Sequence, residues 1–438
     1  MRFVMLAWLL AAQDSAAERL RARYGDRFND LTEEGAARVL GADELLGRYL
    51  VETDSEKRAD MASRLKDLPL DTVAHLLRYG GTGFEAAKQG ARLKRRTTLK
   101  TADEKHEIEL QVSIPSDYDP GAVVKGAPKR WPLVIGAGNY LIGPGANTFQ
   151  VQFPYPDLPG GYGRGSHSTG LIAQVVREMR GSYPIDDDRV FLTGASAMGH
   201  CCWYTAMAHP DLPAGLYTGA SMPFPSILNQ GRKDEEVVLP PLGQVRHIAN
   251  YWEYATDDEG HNPKRYMAPV LKRVDELKFT DLKIETGASS AEVGEWIQGR
   301  SRVRYPKRVV LESDEKRIAR NHWVEVVDFA ARPVFVLQVL HGDDKVERRT
   351  MFKKPVVVDA AADRDKNRIE ITVDGAKRVR VYFAEELVDL DREVEVVVNG
   401  RTSKQKIARS VMKMLDATRR AGNRTIPYAA YAEIDVKE

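Results

Sequence analysis

The sequence predicts an α/β protein: a doubly wound, mainly parallel sheet with a helical segment before it and a β-rich module after it. Three observations lead there. A continuous apolar run, Pro132 to Ile135, empties into a glycine-rich loop, as a strand buried on both faces of a parallel sheet does. The segments that follow alternate helix, strand, sharp turn and helix, the rhythm of such a sheet. The hydrophobic period also changes along the chain, with helical spacing before about residue 90 and strand-like alternation after about residue 300.

The first seventeen residues place Arg2, an apolar run from Phe3 to Ala12 and the small residues Ser15-Ala16-Ala17 in series. That is the plan of a short secretory signal with a cleavage point after Ala17, too short to span a bilayer as a helix. A secreted or periplasmic protein is therefore expected, with no transmembrane segment. Residues 18–100 form the helical segment: "AAERLRARYGDRF", "EEGAARVLGADELLGRYL", "SEKRADMASRLKDL" and "LDTVAHLLRYG" carry apolar residues three and four apart, broken at Gly25, Gly41 and Gly80-Gly81. "RLKRRTTLK", Arg92 to Lys100, reads as a solvated basic face or linker.

Residues 101–300 form the α/β domain. "EIELQVS" alternates like a strand, "WPLVI" is the buried strand, "STGLIAQVVREMRGSY" a helix, "RVFLTG" a strand, and a further helix begins near Ala197. "Ile248 to Ala255" and "DLKIETGASSAEV", Asp281 to Val293, supply later strands. Residues 301–438 are the β-rich module, with short alternating strands from "RYPKRVVLES" to "RVRVYFAEE", a hairpin signal at Asn399-Gly400, and one late helix expected over Ser403 to Arg420.

Composition excludes several functions. The net charge is +2 and 29% of residues are charged, so nothing in bulk draws the chain to nucleic acid. Two adjacent cysteines, Cys201 and Cys202, make neither a disulfide framework nor a zinc site, and read as small buried residues in a helix. No metal or other cofactor is expected.

The chemistry centres on "RVFLTGASAMGHCCW", Arg189 to Trp203, which resembles the nucleophile elbow of a serine hydrolase. Small residues two before and two after the nucleophile let the backbone turn that sharply. Gly194 fills the first place, Met198 breaks the second, and Gly199 is one position late. Two registers are open. In one, Ser196 is the nucleophile and Met198 replaces a glycine; in the other, the elbow slides by one, Ala197 takes the nucleophile position and the site is inactive. The spacing of "RVFLTG" and Trp203 favours Ser196.

Residues from about 107 to 330 resemble the secreted esterase branch of the α/β-hydrolase superfamily, similar to feruloyl-esterase and polyhydroxybutyrate-depolymerase-like proteins. "IPSDYDP", "WPLVI", "DDDRVFLTGAS" and "HPDLPAG" carry the likeness, in family order. It implies an oxyanion hole from the backbone N–H of Ala197 and from the loop after "WPLVI". The His-Gly pair found there in the family is replaced by Gly138 and Asn139, leaving Asn139 or Tyr140 to donate. It implies an acid after "HIANYWEYATDDEGHNP", with Asp258 first and Asp257 next, and Asp344 a minor alternative in the β module.

The resemblance also implies a histidine after the last strand, where the chain has Ser289 and Ser290 instead. Without an imidazole a serine hydroxyl is a poor nucleophile at neutral pH. Of the nine histidines, His261 and His200 are the first substitutes, followed by His167 and His322. Two functions are therefore expected as alternatives. One is a carboxylic-ester hydrolase with an impaired or rearranged triad, acting on a small-molecule or polymeric ester, a polysaccharide ester among them. The other is a catalytically inactive hydrolase-fold protein that binds carbohydrate or a cell-envelope ligand through its aromatic loops.

Overall fold

Among the described residues four α-helices come first, three of them started by a side-chain cap. In α1 (Ala16–Tyr24) the Ser15 hydroxyl accepts the Glu18 amide while the Glu18 carboxylate accepts the Ser15 amide, a capping box that satisfies two otherwise unpaired donors. Thr32 caps α2 (Glu33–Val51) and Asp54 caps α3 (Ser55–Leu65); α4 (Leu70–Tyr79) follows Pro69. Their apolar stripes need a partner, and the far end of the chain supplies one. Val411, Met414 and Leu415 of α9 (Val411–Ala421) join the core that holds Leu20, Leu46, Leu65 and Leu76. The computed structural model describes residues 14–52, 54–81, 84–100, 105–124, 127–137, 147–153, 166–221, 239–253, 263–330, 333–339, 346–352 and 354–436.

The main sheet contains, among the described residues, β1 (Arg92–Lys100), β2 (Lys105–Ser113), β3 (Trp131–Ala137), β4 (Phe149–Phe153), β5 (Ile185–Ala195), β6 (Gly215–Gly219), β7 (Ala249–Glu253) and β8 (Leu282–Glu285). Their spatial order is β1-β2-β4-β3-β5-β6-β7-β8. β1 and β2 join antiparallel, and every pairing from β4 to β8 is parallel. Parallel strands must be covered on both faces, and they are. Leu133, Val190 and Leu192 face α5 (Ser166–Ser182) and α6 (Ala197–Ala208) in one core, while Val134, Phe191, Tyr217 and Tyr251 meet Val293, Trp296 and Ile297 of α8 (Ser290–Gln298) in another. α7 (Pro263–Leu277) connects β7 to β8. Both cysteines are buried in α6, as expected.

The basic run expected to be a solvated face or linker is β1, the outer strand of this sheet, with Arg92, Lys94 and Arg96 exposed, so it is a solvated face but not a linker. Its hairpin with β2 runs from Arg92 opposite Ser113 to Lys100 opposite Lys105, so the division at residue 100 cuts through a strand pair. The run escapes a hydrophobicity reading because an edge strand buries little and carries charge that discourages pairing with another chain. β4 lies inside the stretch from Asn139 to Gly165, which in sequence reads as an aromatic loop.

The C-terminal module shares one apolar core between two sheets. The first is ordered β9 (Arg308–Ser313), β13 (Val356–Asp363), β14 (Arg368–Asp374), β16 (Val394–Val398) and β17 (Arg401–Gln405). The second sets a two-residue bridge, Arg320–Asn321, beside β10 (Val324–Phe329), β15 (Ala376–Phe383) and β18 (Ala430–Asp435); β11 (Pro333–Val339) and β12 (Val346–Phe352) pair with each other. The helix expected over 403–420 is shorter, because the Asn399-Gly400 turn carries the chain back into β17. α9 begins only where Ser410 caps it.

Both flanking modules reach the sheet at the end where its parallel strands begin. Asp187 and Asp188 open β5 and contact Arg424, Thr425 and Arg304. His247, just before β7, bonds through Nε2 to the Arg308 carbonyl at 2.6 Å, and its ring meets His322 edge-on at 5.6 Å between centroids. Burial pushes the His247 imidazole down to about 4, partly opposed by that carbonyl bond. Burial also holds His322 well below its ordinary value, with His247, Arg302 and Arg320 adding to the effect.

A ring favoured neutral in the fold takes up protons more readily when unfolded. The stability it contributes is complete above the ordinary value of about 6.5 and is lost as pH falls toward 4. For His247 the window is worth about 3 kcal/mol. The urea midpoint is therefore expected to fall steeply between pH 7 and 4.5, and His247→Gln is expected to flatten that fall. An identical pH dependence in the variant would remove the assignment.

Candidate active site

β5 delivers Ser196 to the opposite, upper edge of the sheet, where the parallel strands end. Ser196 sits at φ 50° and ψ −128°, between the last residue of β5 and the first of α6. A non-glycine residue held there costs about 1–3 kcal/mol and persists only where its surroundings enforce it. They do: its amide donates to the Gly219 carbonyl at 2.9 Å, and its own carbonyl accepts the His200 amide at 3.1 Å. The side chain is exposed and does not cap α6. The turn thus falls on Ser196, and Ala197, the alternative register, is the first residue of α6.

Packing explains the glycine pattern. A Cβ on Gly194 would stand 2.7 Å from the Met198 carbonyl oxygen, so the residue two before the turn must be glycine. A Cβ on Gly199 would stand 2.3 Å from Ser221 Oγ and 2.5 Å from Ser221 Cβ. Met198 itself is 5% exposed and buried in the core beneath α6. The close approach that a glycine permits has moved one residue on, so Met198 is no defect of the turn.

The other expected site residues fare differently. The Ala197 amide lies in the first turn of α6, where amides lack an acceptor within the helix and the helix dipole favours negative charge. Asn139, Tyr140, Asp257, Asp258, His261 and Asp344 lie outside the described residues. His167 is the second residue of α5. His200 lies one helical turn after Ser196, tied to it through the backbone. His322 is removed from the list by its contact with His247, at the far end of β7 from the upper edge. Five residues of strand separate those two edges, about 16 Å.

The loop after β8 is closed as a cap and not as a catalytic arm. Ser289 caps α8 in a capping box with Glu292, its amide donating to the Glu292 carboxylate at 2.8 Å. Just before that loop, Glu285 accepts the Tyr251 hydroxyl at 2.6 Å and pairs with Lys283 at 3.0 Å; these two bonds hold its carboxyl below the usual range. The same arrangement occurs one strand nearer Ser196, where Glu253, the last residue of β7, accepts the Tyr217 hydroxyl. Sequence reading passes over Glu253, which ends an apolar strand four residues short of the acidic loop. Its strand register is the signal that finds it.

One further pattern is legible only with the strands in place. The tetrapeptide Thr-Gly-Ala-Ser occurs at 193–196, 218–221 and 286–289, each time at the upper end of a parallel strand. In the first copy the positive φ falls on Ser196; in the second it falls on Ala220, at 45°, with Ser221 buried against Gly199; in the third it falls on Gly287, at 73°, and the serine caps a helix.

No family model and no curated protein matches the chain. Solved structures to which it is similar include esterases and serine hydrolases. A thermostable esterase shares 16% identity over 48% of this chain and 63% of its own, less than two thirds of its length, at a TM-score of 0.34. Fluorophosphonate-binding serine hydrolase F of Staphylococcus aureus shares 13% over 48% and 98%, at 0.33. The CE1 ferulic acid esterase of Anaeromyces mucronatus shares 18% over 51% and 94%, at 0.31. Likeness this slight carries no activity or substrate across, and the fold rests on the chain's own geometry. Eight strands in the order β1-β2-β4-β3-β5-β6-β7-β8, helices on both faces, and a serine held at positive φ between β5 and α6 give the chain the α/β-hydrolase fold.

Proposed function

We propose that the chain is a serine-dependent carboxylic-ester hydrolase with Ser196 as its nucleophile. The observation that carries this reading is an exposed serine kept at a strained φ between β5 and α6, where a hydroxyl with only a packing role would gain nothing from the strain. Ser196 Oγ attacks the acyl carbon, its proton passes to a base, and the Ala197 amide at the start of α6 stabilises the oxygen that becomes negative. His200 and His261 are the proposed bases, so the triad is rearranged relative to one that draws its histidine from the loop after β8. Esters of small acyl groups, polyesters and polysaccharides are the proposed substrates.

We also place the protein in a secreted or periplasmic setting, on the pattern of residues 2–17. The Ser15 cap of α1 and the bonds from the Ala16 and Ala17 amides to Glu33 favour a cut before Ser15 over one after Ala17. No helix among the described residues is long and apolar enough to cross a membrane.

A second reading has its own support. The segment Thr286 to Ser289 is taken up by the cap of α8 and holds no histidine, which favours a non-catalytic protein that binds carbohydrate or an envelope component at the same edge. Fluorophosphonate labelling separates the two. The wild-type chain is expected to label and to hydrolyse a short-chain ester, and Ser196→Ala to do neither while keeping its thermal midpoint. A folded wild-type chain that neither labels nor turns over ester supports the binding reading.

A further inference from the structure

Ala195, Gly219 and Glu253 are register partners across β5, β6 and β7, so their side-chain positions form one row on one face of the sheet, directly before Ser196. Partners in a row are one strand spacing apart, about 4.8 Å. The middle place is empty because it is glycine. A Cβ on Gly219 would stand 3.1 Å from Glu253 Oε2 and 3.5 Å from both Ala195 Cβ and the Tyr217 hydroxyl. The Glu253 carboxylate therefore leans across β6 toward the strand that carries Ser196, and the Tyr217 hydroxyl holds it there by donating to Oε2.

The backbones are tied as well. Ser196 N–H donates to the Gly219 carbonyl, and the next amide, Ala220, donates to the Glu253 carbonyl, both at 2.9 Å. The two bonds meet at consecutive residues of one strand end, Gly219 and Ala220. Oε1 of Glu253 has no hydrogen-bond partner among the described residues.

We propose that Glu253, in place of Asp258, is the carboxylate that serves Ser196. The proposal rests on the reading of Ser196 as nucleophile. Glu253 is a positioning residue: Ser196 Oγ bonds to the acyl carbon as its proton moves to an imidazole, the negative charge on Glu253 stabilises the imidazolium, and that proton then leaves on the departing alkoxide. Gly219 is part of the device, since any side chain there would block the reach of the carboxylate.

Glu253→Gln tests this, because glutamine keeps an oxygen for the Tyr217 hydroxyl and loses only the charge. The fluorophosphonate labelling rate is expected to fall about 10³-fold or more, with its pH inflection moved to lower pH as the imidazole loses its stabilising partner. Glu253→Asp is expected to recover part of the rate, and Asp258→Asn to label like the wild type. Wild-type rate and inflection in Glu253→Gln, or the loss appearing in Asp258→Asn instead, would overturn the proposal while leaving Ser196 standing. A wild-type chain that does not label overturns both.

Discussion

Asp187→Ala is expected to lower the unfolding free energy by about 3–5 kcal/mol, the cost of leaving buried cations without their counter-charge. Asp187 is 3% exposed and lies 2.5 Å from Arg180 Nε, and it accepts the Arg424 amide at 3.0 Å. Burial alone would raise its carboxyl, but Arg180 and Arg424 outweigh it and hold it below the usual range. Those arginines are anchored elsewhere: Arg180 donates to the Gly422 carbonyl, while Arg424 reaches the Leu77 and Gly80 carbonyls at 3.1 and 2.6 Å. One carboxylate thus joins the main sheet, the opening helices and the chain's last segment. Urea unfolding of the variant measures the cost, and a change under about 1 kcal/mol would show that the arginines are satisfied without it.

Met198→Gly is expected to destabilise the protein by about 3–5 kcal/mol and to leave labelling no faster. Restoring glycine two places after Ser196 looks like a repair when the motif is read as letters. In the fold it empties a buried site in the core beneath α6, a loss of the size seen for large-to-small core changes, with a further penalty for glycine in a helix. The close approach that needs a glycine is at Gly199, against Ser221, and is already satisfied. A variant as stable as the wild type and faster to label would mean that Met198 does impair the turn. Thermal unfolding beside a labelling time course decides between the two.

These two substitutions mark how far local reading reaches. The helical segment, the order of strand and helix through the main sheet, the two buried cysteines and most strands of the C-terminal module follow from period and composition, because burial on one or both faces leaves a repeat in the residues themselves. β1 does not follow, because an edge strand has little to bury and its charges mask its alternation. The late helix is overextended because the Asn-Gly turn marks a hairpin but not where its returning strand ends. Ser196 is legible from its neighbours, whereas Glu253 is not. It stands 57 positions later and reaches the site only through pairing across two strand boundaries.

The three Thr-Gly-Ala-Ser segments draw the line most sharply. What the sequence alone determines is that each one is a small, flexible tetrapeptide able to take the φ values that the exit from a strand demands. Tertiary structure decides what each serine is for. Partners one strand away hold the positive φ at Ser196 in one copy and at Ala220 in the second, while in the third, after the last strand of the sheet, it falls on Gly287; one hydroxyl is left exposed, one buried against Gly199 and one capping a helix. Identical local preferences are resolved by contacts that come from elsewhere in the chain, and those contacts exist only once the strands have paired.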